Sequence, residues 1–209
     1  MPTPTRLEIA GLTIIDVRHF FPPAGPMARA RDPTALAGVA VHHDGVIMLP
    51  GDRDYSGTTL NEDLARLQAI ANRSASQGWG TFPYHLLASP NGRTFYTADI
   101  SLFGAHVAAR NHQLLGAALM GNFTFAHPGD PQLCAAGRAL VAIWALTQRL
   151  YDFNAHRHWA LPSYPTSCCG DTWPAWQDRL LIIASALARS ALPTPLTQPS
   201  LHANLPPTG

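Results

Sequence analysis

Short apolar and β-rich runs that alternate with long segments of helical periodicity predict an α/β fold. Three observations carry this. The apolar run Gly38-Val39-Ala40-Val41 stops abruptly at His42-His43-Asp44-Gly45, which reads as a buried strand closed by Asp-Gly turn chemistry. Asn91-Gly92 lies between Leu86-Leu87-Ala88 and Thr94-Phe95-Tyr96-Thr97, a strong hairpin signal. Two helix starts are written out locally, Thr59-Leu60-Asn61-Glu62 with capping-box spacing and Asp130-Pro131 as an N-cap followed by proline.

A chain of 209 residues, 46% hydrophobic and 13% charged, buries one sizeable core, so a single domain over residues 1–190 is expected. A formal net charge of +1 gives no electrostatic reason to expect nucleic acid or an anionic membrane as partner. No apolar run approaches the ~20 residues of a membrane span, and Met1 to Arg6 carries no Sec signal pattern. Cys134, Cys168 and Cys169 are too few and too irregularly spaced for a disulfide framework, and the adjacent pair suggests metal or redox chemistry.

In chain order, Leu12-Thr13-Ile14-Ile15-Asp16-Val17 predicts an edge strand. Pro22, Pro23, Pro26 and Pro33 make the next stretch a surface connection leading to the His42 strand. Residues 51–57 read as a polar loop. Leu60, Leu64, Leu67 and Ala71 recur at helical spacing, so a helix over about residues 60–73 packs one face on the sheet. The glycine-punctuated stretch from Gly78 runs into a strand starting at Tyr84, whose phenol faces a cleft or fills the core. His85, pointing the other way, is structural. Ala117 to Met120 suits a central strand covered on both faces. Residues 130–151 form a long amphipathic helix, Phe153-Asn154-Ala155 a brief strand ending in His156-Arg157-His158, and residues 173–189 a last helix. The Pro-rich remainder, residues 191–209, predicts a disordered tail.

A histidine at one strand end, a second at another and a cysteine on the following loop make a three-ligand set, to which zinc binds through N and S donors with a fourth position open to water. His42 and His43 point to opposite faces of their strand, so only one of them joins such a set. A closed structural site needs a fourth ligand, which His158 or Cys169 could supply.

These residues resemble a known family. Val41-His42-His43-Asp44, Pro83-Tyr84-His85-Leu86, Asn91-Gly92, Gly104-Ala105-His106, Gly121-Asn122-Phe123, His156-Arg157 and Thr166-Ser167-Cys168-Cys169-Gly170 occur in the order of the motifs of the zinc-dependent N-acetylmuramoyl-L-alanine amidases, the family of phage T7 lysozyme and the animal peptidoglycan recognition proteins. The likeness spans about residues 36–180 and leaves residues 1–35 as an extension. It departs at Pro83, where the family has Gly, at Cys169, where it has Pro, and in about four extra residues between His156 and Cys168, so that His158 and Cys169 compete for the ligand roles.

The resemblance implies a central mixed sheet of about five or six strands flanked by three main helices. It implies Zn2+ held by His42, His156 and Cys168, catalytic Tyr84 and Thr166, and His106 and Asn122 along a substrate groove. The implied reaction is hydrolysis of the amide between N-acetylmuramic acid and L-alanine in bacterial peptidoglycan, by a monomer. Without a signal peptide, such an enzyme is made in the cytoplasm and reaches the wall as a phage endolysin released by a holin, or it recycles wall fragments inside the cell. A non-catalytic peptidoglycan-binding protein of the same fold is the alternative, disfavoured because such proteins commonly lack the cysteine.

Overall fold

A computed structural model describes residues 3–26, 28–45 and 58–192. The polar loop expected at residues 51–57 and residues 193–209 of the tail expected from residue 191 lie outside the described residues, while Ala191 belongs to the last helix. Among the described residues, seven strands form one mixed sheet: β1 (Thr5–Ile9), β2 (Leu12–Asp16), β3 (Gly38–His43), β4 (Leu86–Ala88), β5 (Thr94–Tyr96), β6 (Leu114–Leu119) and β7 (Phe153–Ala155), in the order β1-β2-β5-β4-β6-β3-β7. The helices are α1 (Leu60–Ser76), α2 (Asp130–Thr147), the short α3 (His156–Trp159) and α4 (Trp173–Ala191). The α/β class is as expected, with one strand more than the upper sequence count.

That extra strand corrects the reading of residues 12–17. β1 and β2 form an antiparallel hairpin turned by Ala10 and Gly11, both at positive φ, so β2 lies inside the sheet between β1 and β5 and β1 is the edge. The hairpin escapes a sequence pass because its alternating residues Thr5 to Ile9 are largely exposed and its turn lacks an Asn-Gly or Asp-Gly pair.

Side-chain alternation sorts the core into two layers. Val39 and Val41 of β3, Leu86 and Ala88 of β4 and Leu115, Ala117 and Leu119 of β6 pack with α2 and α4. Leu87, Phe95, Ala118 and Met120 pack on the other side with Leu64 and Leu67 of α1. α2 lies between sheet and α4, which is why it is apolar almost all round, and Gly137 lets α4 approach: a Cβ there would meet Ile183 Cγ2 at 2.8 Å.

Helix ends follow the local signals with small corrections. Thr59 and Glu62 complete the capping box that starts α1. At α2 the N-cap is Gly129, so Asp130 occupies the first helical position and favours the helix through its charge at the positive end of the dipole. The same helix ends at Thr147, short of Tyr151, where Gln148 turns left-handed. Tyr84 lies in the loop two residues before β4, not in the strand itself.

Candidate metal centre

His42 is the fifth residue of β3, and its neighbour β7 runs parallel with Ala155 opposite Val41. The carboxyl ends of two adjacent parallel strands therefore deliver His42 and, one residue past β7, His156 side by side, with ring centroids 4.5 Å apart. Parallel sheets commonly carry their sites at this end. Cys168 arrives on the loop before α4. The Arg157 N–H donates to the Cys168 carbonyl at 2.7 Å, tying this loop to the His156 turn, and the Arg157 guanidinium also donates to the Gly170 carbonyl. Gly170 sits at φ +91°, and a Cβ there would run into the Phe123 backbone at 2.2 Å, so this close crossing requires glycine.

One donor atom from each of His42, His156 and Cys168 lies within 4.8 Å of the others. His42 Nδ1 is 3.7 Å from Cys168 Sγ. A tetrahedral site with Zn–N of ~2.0–2.1 Å and Zn–S of ~2.3 Å has an N···S edge of about 3.6 Å, so this pair fits the metal as it stands. The donor chemistry agrees. Burial holds the His42 imidazole well below its ordinary value and brings His156 down to about 4, leaving both lone pairs free at neutral pH. Burial also pushes the Cys168 thiol up to about 12, so the cluster without a cation is uncharged and a divalent ion is what would favour the thiolate.

The competing residues lie elsewhere. His43 points to the opposite side of β3, where its Nδ1 accepts the Phe123 N–H at 3.1 Å and its ring lies near the Phe123 ring. α3 takes up the chain after His156, and two residues along a helical turn His158 faces solvent against Trp159. Trp159 anchors that turn, its Nε1 donating to the Val39 carbonyl and its ring filling the space in front of Gly38. Cys169 is fully buried in the α2–α4 core. β7 thus ends at Ala155, and His156, Arg157 and His158 all lie on α3.

The other expected site residues surround this cluster at different depths. The Tyr84 ring is half-buried with its centroid 5.0 Å from that of His42, and burial raises its phenol well above the ordinary range. Thr166 Oγ1 accepts the Cys168 N–H at 3.1 Å, which leaves its hydroxyl proton available to donate. Asn122 uses its amide on backbone groups, Oδ1 accepting from the Thr124 N–H of its own loop and Nδ2 donating to the Gly45 carbonyl beyond β3. His106 is buried behind His42, with Nδ1 3.0 Å from His42 Nε2.

Two further residues tie the site to the scaffold. Asp44 takes a bidentate ion pair from Arg66 of α1, both distances 2.6 Å, and accepts the Gly121 N–H, locking the end of β3 to α1 and to the end of β6. His85, read from sequence as structural, accepts the Gly116 N–H on Nδ1 and lies 3.0 Å from Arg31. Burial, and then the Arg31 charge, bring it down to about 3.

Five histidines held neutral by burial, His42, His43, His85, His106 and His156, make the metal-free protein acid-sensitive. Each has a folded value below the ~6.5 of the unfolded chain, so between about 6.5 and about 3 the unfolded state binds protons the folded state refuses, and stability falls as pH falls through that window. The urea midpoint of chelator-treated protein is expected to drop steadily from pH 7 to pH 4.5. A flat midpoint over this range would contradict it.

The fold is that of peptidoglycan recognition proteins and of an N-acetylmuramoyl-L-alanine amidase. Drosophila peptidoglycan recognition protein SD superposes with a TM-score of 0.60 at 22% identity, covering 72% of this chain and 82% of that one. The amidase LysC from Clostridium intestinale gives 0.57 at 16% identity, covering 81% of this chain and 96% of that one. Peptidoglycan recognition protein LE, in complex with tracheal cytotoxin (monomeric diaminopimelic acid-type peptidoglycan), gives 0.58 at 20%, with 75% and 87% covered. No protein-family model and no curated sequence matches the chain.

Proposed function

We propose that this protein is a zinc-dependent N-acetylmuramoyl-L-alanine amidase that cuts the amide between N-acetylmuramic acid and L-alanine in bacterial peptidoglycan. The observation that carries the reading is the convergence of His42, His156 and Cys168 at the carboxyl ends of β3 and β7, on a fold shared with an amidase and with a protein crystallised on a peptidoglycan fragment. A zinc ion in such a set supplies Lewis acidity and makes water a nucleophile near neutral pH.

The protein's own groups supply the rest. The Tyr84 phenol, kept protonated by burial, donates a hydrogen bond to the charge that develops on the amide oxygen. The Thr166 hydroxyl, anchored by the Cys168 N–H, orients the substrate carbonyl. The loops Gly121-Asn122-Phe123 and Gly104-Ala105-His106 are themselves pinned by hydrogen bonds to Asp44, to the Asn122 side chain and to Asn111. In this reading a monomer acts on the wall of a bacterium, and the compact catalytic domain suits a lytic endolysin.

Digestion of purified sacculi tests the reading. New α-amino groups on L-alanine without new reducing sugar ends, lost on chelation and restored by zinc, are the expected result. Muropeptides released with sugars still attached would overturn it. Binding to sacculi with no bond cleaved by the zinc-loaded protein would favour a recognition protein of this fold.

A further inference from the structure

We propose that His106 and Arg31 are positioning residues for His42: a hydrogen-bond chain from the Arg31 guanidinium through the Leu114 carbonyl and the His106 ring sets the His42 tautomer that presents its Nδ1 lone pair to Cys168 and His156. The consequence for metal affinity rests on the zinc reading above. The tautomer itself does not.

The direction of the chain follows from its fixed end. A carbonyl oxygen only accepts, and that of Leu114 receives Arg31 NH1 at 2.9 Å and His106 Nε2 at 3.2 Å. His106 Nε2 therefore carries the proton, which leaves Nδ1 of the neutral ring as an acceptor. That atom lies 3.0 Å from His42 Nε2, so His42 donates there and keeps Nδ1 bare, 3.7 Å from Cys168 Sγ. Orienting partners of this kind fix ring direction and tautomer in metal-ligating histidines.

The surrounding packing serves the same arrangement. The two rings meet edge to face at 85°. A Cβ on Gly116 would lie 3.2 Å from His106 Cγ and Cδ2, so this glycine makes room for the ring, while one on Gly104 would first meet the Pro83 carbonyl oxygen. The Asn111 side chain accepts the backbone N–H groups of His106 and Val107.

Arg31 clamps the segment that carries His106 on both sides, donating to the carbonyls of Leu102 and Leu114. The residue is 6% exposed, and among the described residues no carboxylate pairs with it. A guanidinium desolvated without a counter-charge is expensive, which calls for a role for this arginine in the N-terminal extension. Holding two carbonyls on either side of His106 supplies one.

Two measurements test this. Long-range 1H–15N spectra of the metal-free chain should show His42 and His106 both protonated on Nε2, and His106→Leu should give His42 as a tautomer mixture. Zinc affinity, read by competition with a chromophoric chelator, should fall about 10–100-fold in His106→Leu. It should largely recover in His106→Asn, whose amide oxygen lies near the position of Nδ1, and fall in Arg31→Met. His42 protonated on Nδ1 in the parent chain overturns the proposal, as does a folded His106→Leu that holds zinc as tightly as the parent. Should His106→Leu not fold, the parent's tautomer and the Asn variant still decide. A parent chain that shows the expected tautomers yet binds no zinc overturns the metal reading and upholds the chain.

Discussion

His42→Ala is expected to lose both zinc and hydrolysis, while His43→Ala keeps most of the metal. The two residues are adjacent, yet strand alternation sends one ring to the cluster and the other to the Phe123 N–H. Removing one of three protein donors leaves two, too few to hold zinc against a competing chelator, whereas removing His43 costs one hydrogen bond, about 1 kcal/mol of stability. Cys168→Ser and Cys169→Ser should divide in the same way, because Cys169 lies in the core. Serine at Cys169 costs stability without freeing metal. Metal content of the four purified variants, each checked for folding by circular dichroism, decides the assignment. Equal metal loss in both members of either pair would overturn it.

Tyr84→Phe should retain zinc and lose most turnover, about 10²–10³-fold in kcat, the cost of removing one oxyanion donor. The ring still packs against His42, so folding and metal affinity are expected to be close to those of the parent. The variant removes only an interaction made as charge develops, so kcat falls while KM changes little. A variant with full turnover would strip Tyr84 of its role, and one that also loses zinc would make the residue structural. The rate should be read by release of L-alanine-terminated stem peptides, since turbidity alone does not identify the bond cut.

Much of this protein is written locally in its chain. The apolar run of β3, the Asn91-Gly92 hairpin, the Thr59–Glu62 box and the periodicity of α1, α2 and α4 each depend on neighbours a few residues away, and each element forms within a few residues of its expected bounds. The motif order also yields His42, His156 and Cys168 as a group. Five things needed the folded chain, and all but the first depend on partners far apart in sequence. β1 is an exposed strand that only its pairing with β2 reveals. The choice between His156 and His158 hangs on α3 and on Trp159 wedged before Gly38, and that between Cys168 and Cys169 on which thiol the core takes. His106, expected along the groove, is buried behind His42, and Arg31 in a proline-rich connection carried no local signal, because its partners Leu102 and Leu114 are 71 and 83 residues away.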